Sequence, residues 1–233
     1  LYSCLTHLQH EAVNIASVED PSEIPLEGIN QVSVNERAGL SFAHALRALL
    51  RQDPDILMVG EMRDTETAGI ALQAAQTGHL VLSTLHSNDA PSALWRLMQL
   101  GLDRTQIAHT VHLIVAQRLV RRLCQHCKVA VPLDRAELPA DFPRDLCDVV
   151  YEPKGCRECR DTGYSGRIGV FELLRTDAMV QRMCVEQKSS TEVRDYALKA
   201  GMTTLRSSGW EQVAAGVTSV EEVVRLTRGD IVG

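Results

Sequence analysis

Two kinds of residue pattern in this chain could do chemistry. The first is Cys124-Gln-His-Cys127 with Cys156-Arg-Glu-Cys159, two Cys-x-x-Cys pairs with 28 residues between them, while Cys4, Cys147 and Cys184 stand alone. Thiolates at that spacing suit one tetrahedral metal ion, with zinc the first expectation. A secreted protein would tend to pair every cysteine, so a split of four and three without an export signal favours a metal over disulfides. The second pattern is a set of apolar runs that finish in ionisable groups. Residues 13–18 lead into Glu19-Asp20-Pro21, residues 56–59 into Gly60-Glu61-Met62-Arg63, and residues 79–84 into His86. If the three runs are parallel strands, their C-terminal ends share one edge, where ligands bind in α/β sheets. Carboxylates and imidazole then meet in one crevice.

Each piece has a plainer explanation when taken alone. An acidic pair before proline is an ordinary turn, and His79 at a strand start suits a satisfied core histidine. His86 stands among hydroxyl and amide groups. Four apolar residues followed by Gly60 and Glu61 resemble a Walker B strand, whose carboxylate orients water or holds Mg²⁺. It is the joint occurrence that outweighs the separate alternatives.

The elements that must position these groups follow from apolar periodicity. Strands are expected over 13–18, 56–59 and 79–84, alternating with helices, which is the pattern of an α/β domain built on a parallel sheet. A helix over 41–50 places Phe42, Ala45, Leu46, Leu49 and Leu50 on one face. Asp64 or Thr65 caps a helix that runs through Gln76 and stops at Gly78. Further helices are expected over 91–100 and, from the spacing of Ile107, Ala108, Val111, Val115 and Leu119, over 107–123. On that last helix Arg118, Arg121 and Arg122 share a face, either as cations at a solvated helix end or as a contact to a neighbouring subunit or its nucleotide.

From residue 124 to about 175 the composition turns to cysteine, proline and glycine, with a core too thin to hold itself and a structural metal to supply the constraint. A strand is expected over 170–174. Short helices follow, with capping boxes at Ser189/Glu192 and Ser219/Glu222. The expected organisation is therefore an α/β core over 1–123, a tetracysteine module with a returning strand over 124–175, and a helical subdomain over 176–233.

The chain has 233 residues, 45% of them apolar, and a net charge of −6, which fits a folded protein without a uniformly basic surface. Aromatic residues are 4%, too few for a base-stacking platform, and direct nucleic-acid binding is not expected. Without a long apolar stretch or a signal-peptide pattern, the expectation is a soluble, cytoplasmic chain. It does not begin with Met and opens as the body of a helix, so a fragment is expected.

The segments INQVSVN, AGLSFAHALRALLRQDPDILMVGEMRDTETAGIALQAAQTGHLVLSTLHSNDA, AQRLVRRLC and GYSGRIGVFELL closely resemble the ATPase family that powers type II secretion and type IV pilus assembly. The blocks stand in the family's order and cover nearly the whole chain. The resemblance implies a RecA-like ATPase core that is truncated before its phosphate loop. SVEDPSE looks like the family's Asp box, LMVGEMRD like its Walker B motif, and residues 79–86 like its His box. The paired Cys-x-x-Cys motifs resemble the zinc module of the secretion and assembly branch, which retraction ATPases lack.

Carried over by position, the resemblance implies that Glu61 polarises the attacking water. Glu19 or Asp20 assists there or at Mg²⁺, and His79, His86 and Arg63 serve the γ-phosphate region of ATP. Gly60 stands where many Walker B motifs carry an aspartate, a departure the family shares. The resemblance further implies a hexameric ring on the cytoplasmic face of the inner membrane, working with secretion or pilus platform proteins.

One expected motif is missing. A phosphate-cradling loop needs G-x-x-x-x-G-K-[ST], and the four lysines, Lys128, Lys154, Lys188 and Lys199, all lack a preceding glycine. The chain by itself is therefore expected to be inactive. The alternative is a zinc ribbon that binds a protein or nucleic acid on an α/β scaffold, but a scaffold has no use for three polar strand ends.

Overall fold

The computed structural model describes residues 1–134 and 137–227. The chain divides into two compact units that interleave along the sequence. One comprises Leu1–Ser87, Ser92–His112 and Thr176–Ser190; the other comprises Asn88–Pro91, Leu113–Arg175 and the chain from Thr191 onward.

The first unit is built on a parallel sheet. Helix α1 (Tyr2–Leu8) precedes β1 (Ile15–Glu19) and β2 (Asn30–Ser33); α2 (Phe42–Leu49) leads to β3 (Ile56–Val59), and α3 (Thr65–Gln76) to β4 (Leu80–Ser83). Helices α4 (Ala90–Gln99), α5 (Arg104–Thr110) and, much later in the chain, α6 (Ala178–Val185) follow. The strand order is β2-β1-β3-β4, every pair parallel. Strands β1 and β3 are buried along their whole length, as central strands covered on both faces must be.

Alternation of side chains sorts the two cores of this unit. Ala16, Val18, Leu57 and Val59 pack with Ala45, Leu46 and Leu49 of α2 and Ala71 and Ala74 of α3. Ile15, Ile56 and Met58 pack with Leu5 of α1 and Ile29. The caps act as local chemistry dictates: Ser41 accepts the His44 N–H and Asp64 accepts the Thr67 N–H. Thr65, the other candidate cap, donates instead to the Leu100 carbonyl at 2.6 Å.

Strand β2 was not expected. Its Asn-Gln-Val-Ser sequence is polar and half exposed, and its pairing with β1 is a long-range event that leaves no periodic trace.

The second unit contains β5 (Leu113–Leu123), the hairpin of β6 (Val129–Pro132) and β7 (Val149–Glu152), the long β8 (Tyr164–Arg175), and helices α7 (Ser190–Lys199), α8 (Leu205–Ala214) and α9 (Val220–Leu226). The helix expected over 107–123 is corrected here, because α5 ends at Thr110 and the chain continues as β5, antiparallel to β8 over nearly its whole length. Val115 and Leu119, which mimic a helical face, are outward residues of a strand, each about half exposed. Cross-strand pairing with β8 overrides the local period. Arg118, Arg121 and Arg122 therefore share no helical face. Arg118 donates to the Asn88 carbonyl, and Arg121 pairs with Glu222.

The segment from 124 to 175 does not stand alone, because its thin core is completed by the C-terminal helices. Phe142 and Val150 pack with Trp210, Val213 and Val223, the Phe142 and Trp210 rings meeting edge to face at 5.3 Å. Arg206, almost fully buried, holds Asp141 through Nη2 at 2.8 Å. Among the described residues no helix is long and apolar enough to cross a membrane.

Half of the second capping box forms: the Ser219 hydroxyl accepts the Glu222 N–H. The fully buried Glu222 carboxylate turns the other way, accepting from the Arg121 backbone at 2.9 Å, from its guanidinium at 2.7 Å, and from Arg225. Burial pushes this carboxyl up, but the bonds from Arg121 and Arg225 prevail and hold it at about 2, against an ordinary 4.5. A carboxyl with a depressed pKa contributes stability that is complete above 4.5 and is lost as pH falls towards 2. Glu222→Gln is expected to cost about 2–3 kcal/mol at neutral pH, since it strips a buried anion from two half-exposed arginines. Urea melts as a function of pH should show the gap between variant and parent closing between pH 4.5 and 2.

Candidate functional site

The parallel strands of the first unit deliver their C-terminal residues to one edge. Glu19 is the last residue of β1, Glu61 follows β3 by two positions, and Thr84 follows β4 directly. Backbone ties lace the three ends together. The Gly60 N–H donates to the Val18 carbonyl at 2.8 Å, the Thr84 hydroxyl to the Gly60 carbonyl at 2.6 Å, and the Met62 N–H to the Thr84 carbonyl at 3.1 Å. A Cβ at position 60 would come within 3.3 Å of Glu19 Cα and the Val18 oxygen, so glycine lets the two turns touch. A cleft of about 280 Å³ opens there, lined among others by Tyr2, Glu19, Asp20, Phe42, Glu61 and Thr84.

Glu61 is ion-paired to Arg63, and its other oxygen lies 3.4 Å from His86 Nε2. Arg63 also stands 3.6 Å from Asp20. The hydrogen bond from Arg63 holds the Glu61 carboxyl below the usual carboxylate range, against the opposing effect of burial, and the charges of Arg63 and His86 act in the same lowering direction. Glu61 is thus an anion at neutral pH, suited to accepting a hydrogen bond from water.

Glu19 is buried and serves as a hydrogen-bond hub. Its Oε1 accepts from Ser17 at 2.6 Å, Gln31 at 3.2 Å and Ser22 at 3.3 Å, while Oε2 accepts from the Tyr2 phenol. The Asp20–Pro21 peptide bond in the same turn is cis.

Of the residues singled out in the sequence, Glu19, Asp20, Glu61, Arg63 and His86 come together. His79 does not join them. It precedes β4, at the opposite edge of the sheet, where its Nδ1 lies 2.9 Å from the Ala74 carbonyl and 3.1 Å from the Thr77 hydroxyl, closing the end of α3. The length of β4 separates it from His86. Sequence reasoning missed Tyr2, Ser17, Ser22, Gln31 and Thr84. Ser17 carries a faint signal, two residues before Glu19 on the same strand; Gln31 carries none, because β2 itself left none. Two fixed carboxylates, an arginine, an imidazole and a hydroxyl at a sheet edge can orient water and a cation and meet anionic oxygens.

The second unit holds the four cysteines. Their sulfurs all lie within 4.8 Å of one another, with edges of 3.7 Å between Cys156 and Cys159, 3.8 Å between Cys127 and Cys159, and 3.9 Å between Cys124 and Cys156. A Zn²⁺ ion with bonds of about 2.3 Å spreads tetrahedral thiolates about 3.8 Å apart. Disulfides, by contrast, need about 2 Å, and the cysteines are free thiols. Burial pushes the Cys127 thiol up to about 11. At Cys159 burial acts the same way but is overcome by the N–H groups of Cys156 and Gly163, each 3.2 Å from the sulfur, which hold it at about 6. Gly155 and Gly163 shape the turns: both have positive φ, and a Cβ at Gly155 would strike the Asp161 carbonyl at 2.8 Å. The donor set fits zinc.

A parallel sheet whose strand ends gather carboxylates and an arginine is an arrangement suited to nucleotide chemistry, and solved structures of similar fold include a pilus motor and an ATPase. The pilus retraction motor PilT, solved with bound ADP, superposes with a TM-score of 0.69 at 26% identity over 97% of this chain and 56% of its own. The ATPase DotB of Legionella pneumophila shares the fold, with a TM-score of 0.63 at 20% identity over 95% of this chain and 53% of its own. The family described as Type II/IV secretion system protein matches residues 1–225, and the chain belongs to it. The type IV pilus assembly ATPase PilB of Pseudomonas aeruginosa is 48% identical over 231 residues, 98% of this chain and 41% of that protein. Type II secretion system protein E of Klebsiella pneumoniae is 44% identical over 231 residues, 99% of this chain and 46% of its own length. The chain thus spans less than half of either of these relatives.

Metal analysis of the purified chain should return about one zinc per chain. A chelator should remove it and lower the melting temperature, and Cys159→Ser should reproduce both effects. Metal-free protein with two disulfides would reverse the assignment.

Proposed function

We propose that this chain carries the hydrolytic residues of an ATP-driven motor for type IV pilus assembly or type II secretion. The observation that carries the proposal is the meeting of Glu19, Asp20, Glu61, Arg63 and His86 at one sheet edge. Membership of the secretion family and 48% identity to a pilus assembly ATPase support it.

Phosphoryl transfer is governed by positioning and by stabilisation of charge on oxygens. Glu61, already ionised and held by Arg63, accepts a hydrogen bond from the attacking water. Glu19 is the second acid, since its buried position and hydrogen-bond hub fix it in the cleft, whereas Asp20 is more exposed and faces Arg63. Arg63 and His86 are the groups able to meet γ-phosphate oxygens; His79, at the far edge, has no such role. Mg²⁺, when bound with ATP, would supply charge neutralisation at the phosphates, and Glu19 or Asp20 would be the carboxylate to hold it. The zinc centre braces the turns that carry the four cysteines. In the working motor we place the chain in a hexameric ring at the cytoplasmic face of the inner membrane, against platform proteins of the secretion or pilus apparatus.

None of the four lysines of this sequence lies in a glycine-rich phosphate loop, so the chain by itself should bind ATP only weakly and should not turn it over. Micromolar affinity by calorimetry would contradict this. In a full-length protein that also carries the loop, Glu61→Gln should lower Mg²⁺-dependent phosphate release by roughly 10²–10³-fold while ATP still binds, the size of effect seen when one preorganised transition-state group is lost. Retained turnover in that variant removes Glu61 from the mechanism.

A further inference from the structure

The hydrogen bonds of Glu19 divide unequally between its two oxygens. Oε1 is filled by Ser17, Gln31 and Ser22, whereas among the described residues the hydrogen bond to Oε2 comes from the Tyr2 phenol. That phenol is itself oriented. Its oxygen accepts the Glu23 N–H at 3.1 Å, which leaves its own proton directed at Glu19. The ring packs against the cluster of Leu5, Ile15, Ile29, Ile56 and Met58, and Tyr2, Glu19 and Glu61 line the same cleft. A phenol anchored by its ring and by a backbone donor can hold one carboxylate oxygen in a single place.

We propose that Tyr2 is a positioning residue for hydrolysis, its phenol fixing the Oε2 atom of Glu19, a residue that lines the same cleft. The inference rests on the ATPase function proposed above. Three donors on Oε1 hold Glu19 to the sheet, and Tyr2 sets the direction of the oxygen left for water or cation. The phenol's own pKa is raised, chiefly through the hydrogen bond to Glu19, so it keeps its proton through the neutral range.

The test is Tyr2→Phe in the full-length ATPase, with Glu61→Gln and Glu19→Gln alongside. Expected for Tyr2→Phe are a kcat lowered about tenfold and a KM for ATP within about twofold of the parent, the split that marks loss of a group acting in the transition state rather than in binding. In the Glu19→Gln background the same change should have no further effect, because the two residues act as one unit. A KM raised along with the fall in kcat, or additive losses in the double variant, would reduce Tyr2 to a structural tie between α1 and the turn after β1. If Glu61→Gln leaves turnover intact, the hydrolytic assignment itself falls; if Glu61→Gln abolishes turnover while Tyr2→Phe matches the parent, only the role of Tyr2 is overturned. Should Tyr2→Phe fail to fold, ultraviolet titration of tyrosine in the parent and in Glu19→Gln decides: a phenol transition moving to lower pH supports the bond, and identical titrations overturn it.

Discussion

Parallel pairing of β1, β3 and β4 is the constraint on which the rest of this molecule depends. Because the three strands run the same way, every C-terminal end reaches the same edge, and whatever follows each strand is delivered to a common place. The register makes this concrete: Val18 lies beside Val59, and Val59 beside Ser83. Glu19, Gly60 and Thr84 are therefore neighbours before any side chain has chosen a rotamer. Gly60 then removes the last obstacle, since a side chain there would press on the backbone of Glu19. The two carboxylates end up in different electrostatic settings. Glu61 lies against a guanidinium and an imidazole, while Glu19 is surrounded by neutral hydroxyl and amide donors. One is charged and reachable from solvent; the other is fixed and buried.

The second unit solves a different problem, the scarcity of apolar side chains in a cysteine-rich stretch. Four thiols converge on a tetrahedron and can be cross-linked by one ion, while Phe142 and Val150 borrow Trp210, Val213 and Val223 to complete a core. Ion pairs with one buried partner finish the assembly. Glu222 is enclosed by Arg121 and Arg225, and Arg206 reaches Asp141. Such pairs are sensitive to the loss of the outer partner because the buried charge, Glu222 or Arg206, then has little water to turn to. The C-terminal helices are in this sense part of the cysteine-rich module rather than a bundle appended to it.

What could be read directly from the residues was local. The strands around 56–59 and 79–84, the caps at Asp64 and Ser219, the stop at Gly78 and the two Cys-x-x-Cys pairs each depend on groups a few positions apart, where spacing and backbone chemistry carry the signal. Glu61 was legible for the same reason, as the first acid after a buried strand. Periodicity misled at 107–123, where apolar residues three and four apart belong to a strand that pairs with β8. The resemblance to the family, for its part, grouped His79 with His86, although the strand between them carries the two to opposite edges.

The sequence alone determined the class of fold, the four cysteines that cluster and the acids that end the strands, because those features are written in residue type and short-range order. Only the tertiary structure decided which groups meet. Tyr2 reaches Glu19 across 17 residues and Arg121 reaches Glu222 across 101, separations over which neither a helical nor a strand period holds any information. Partners so far apart are chosen by strand register and by the need to neutralise a buried charge, and both are settled only when the chain has folded.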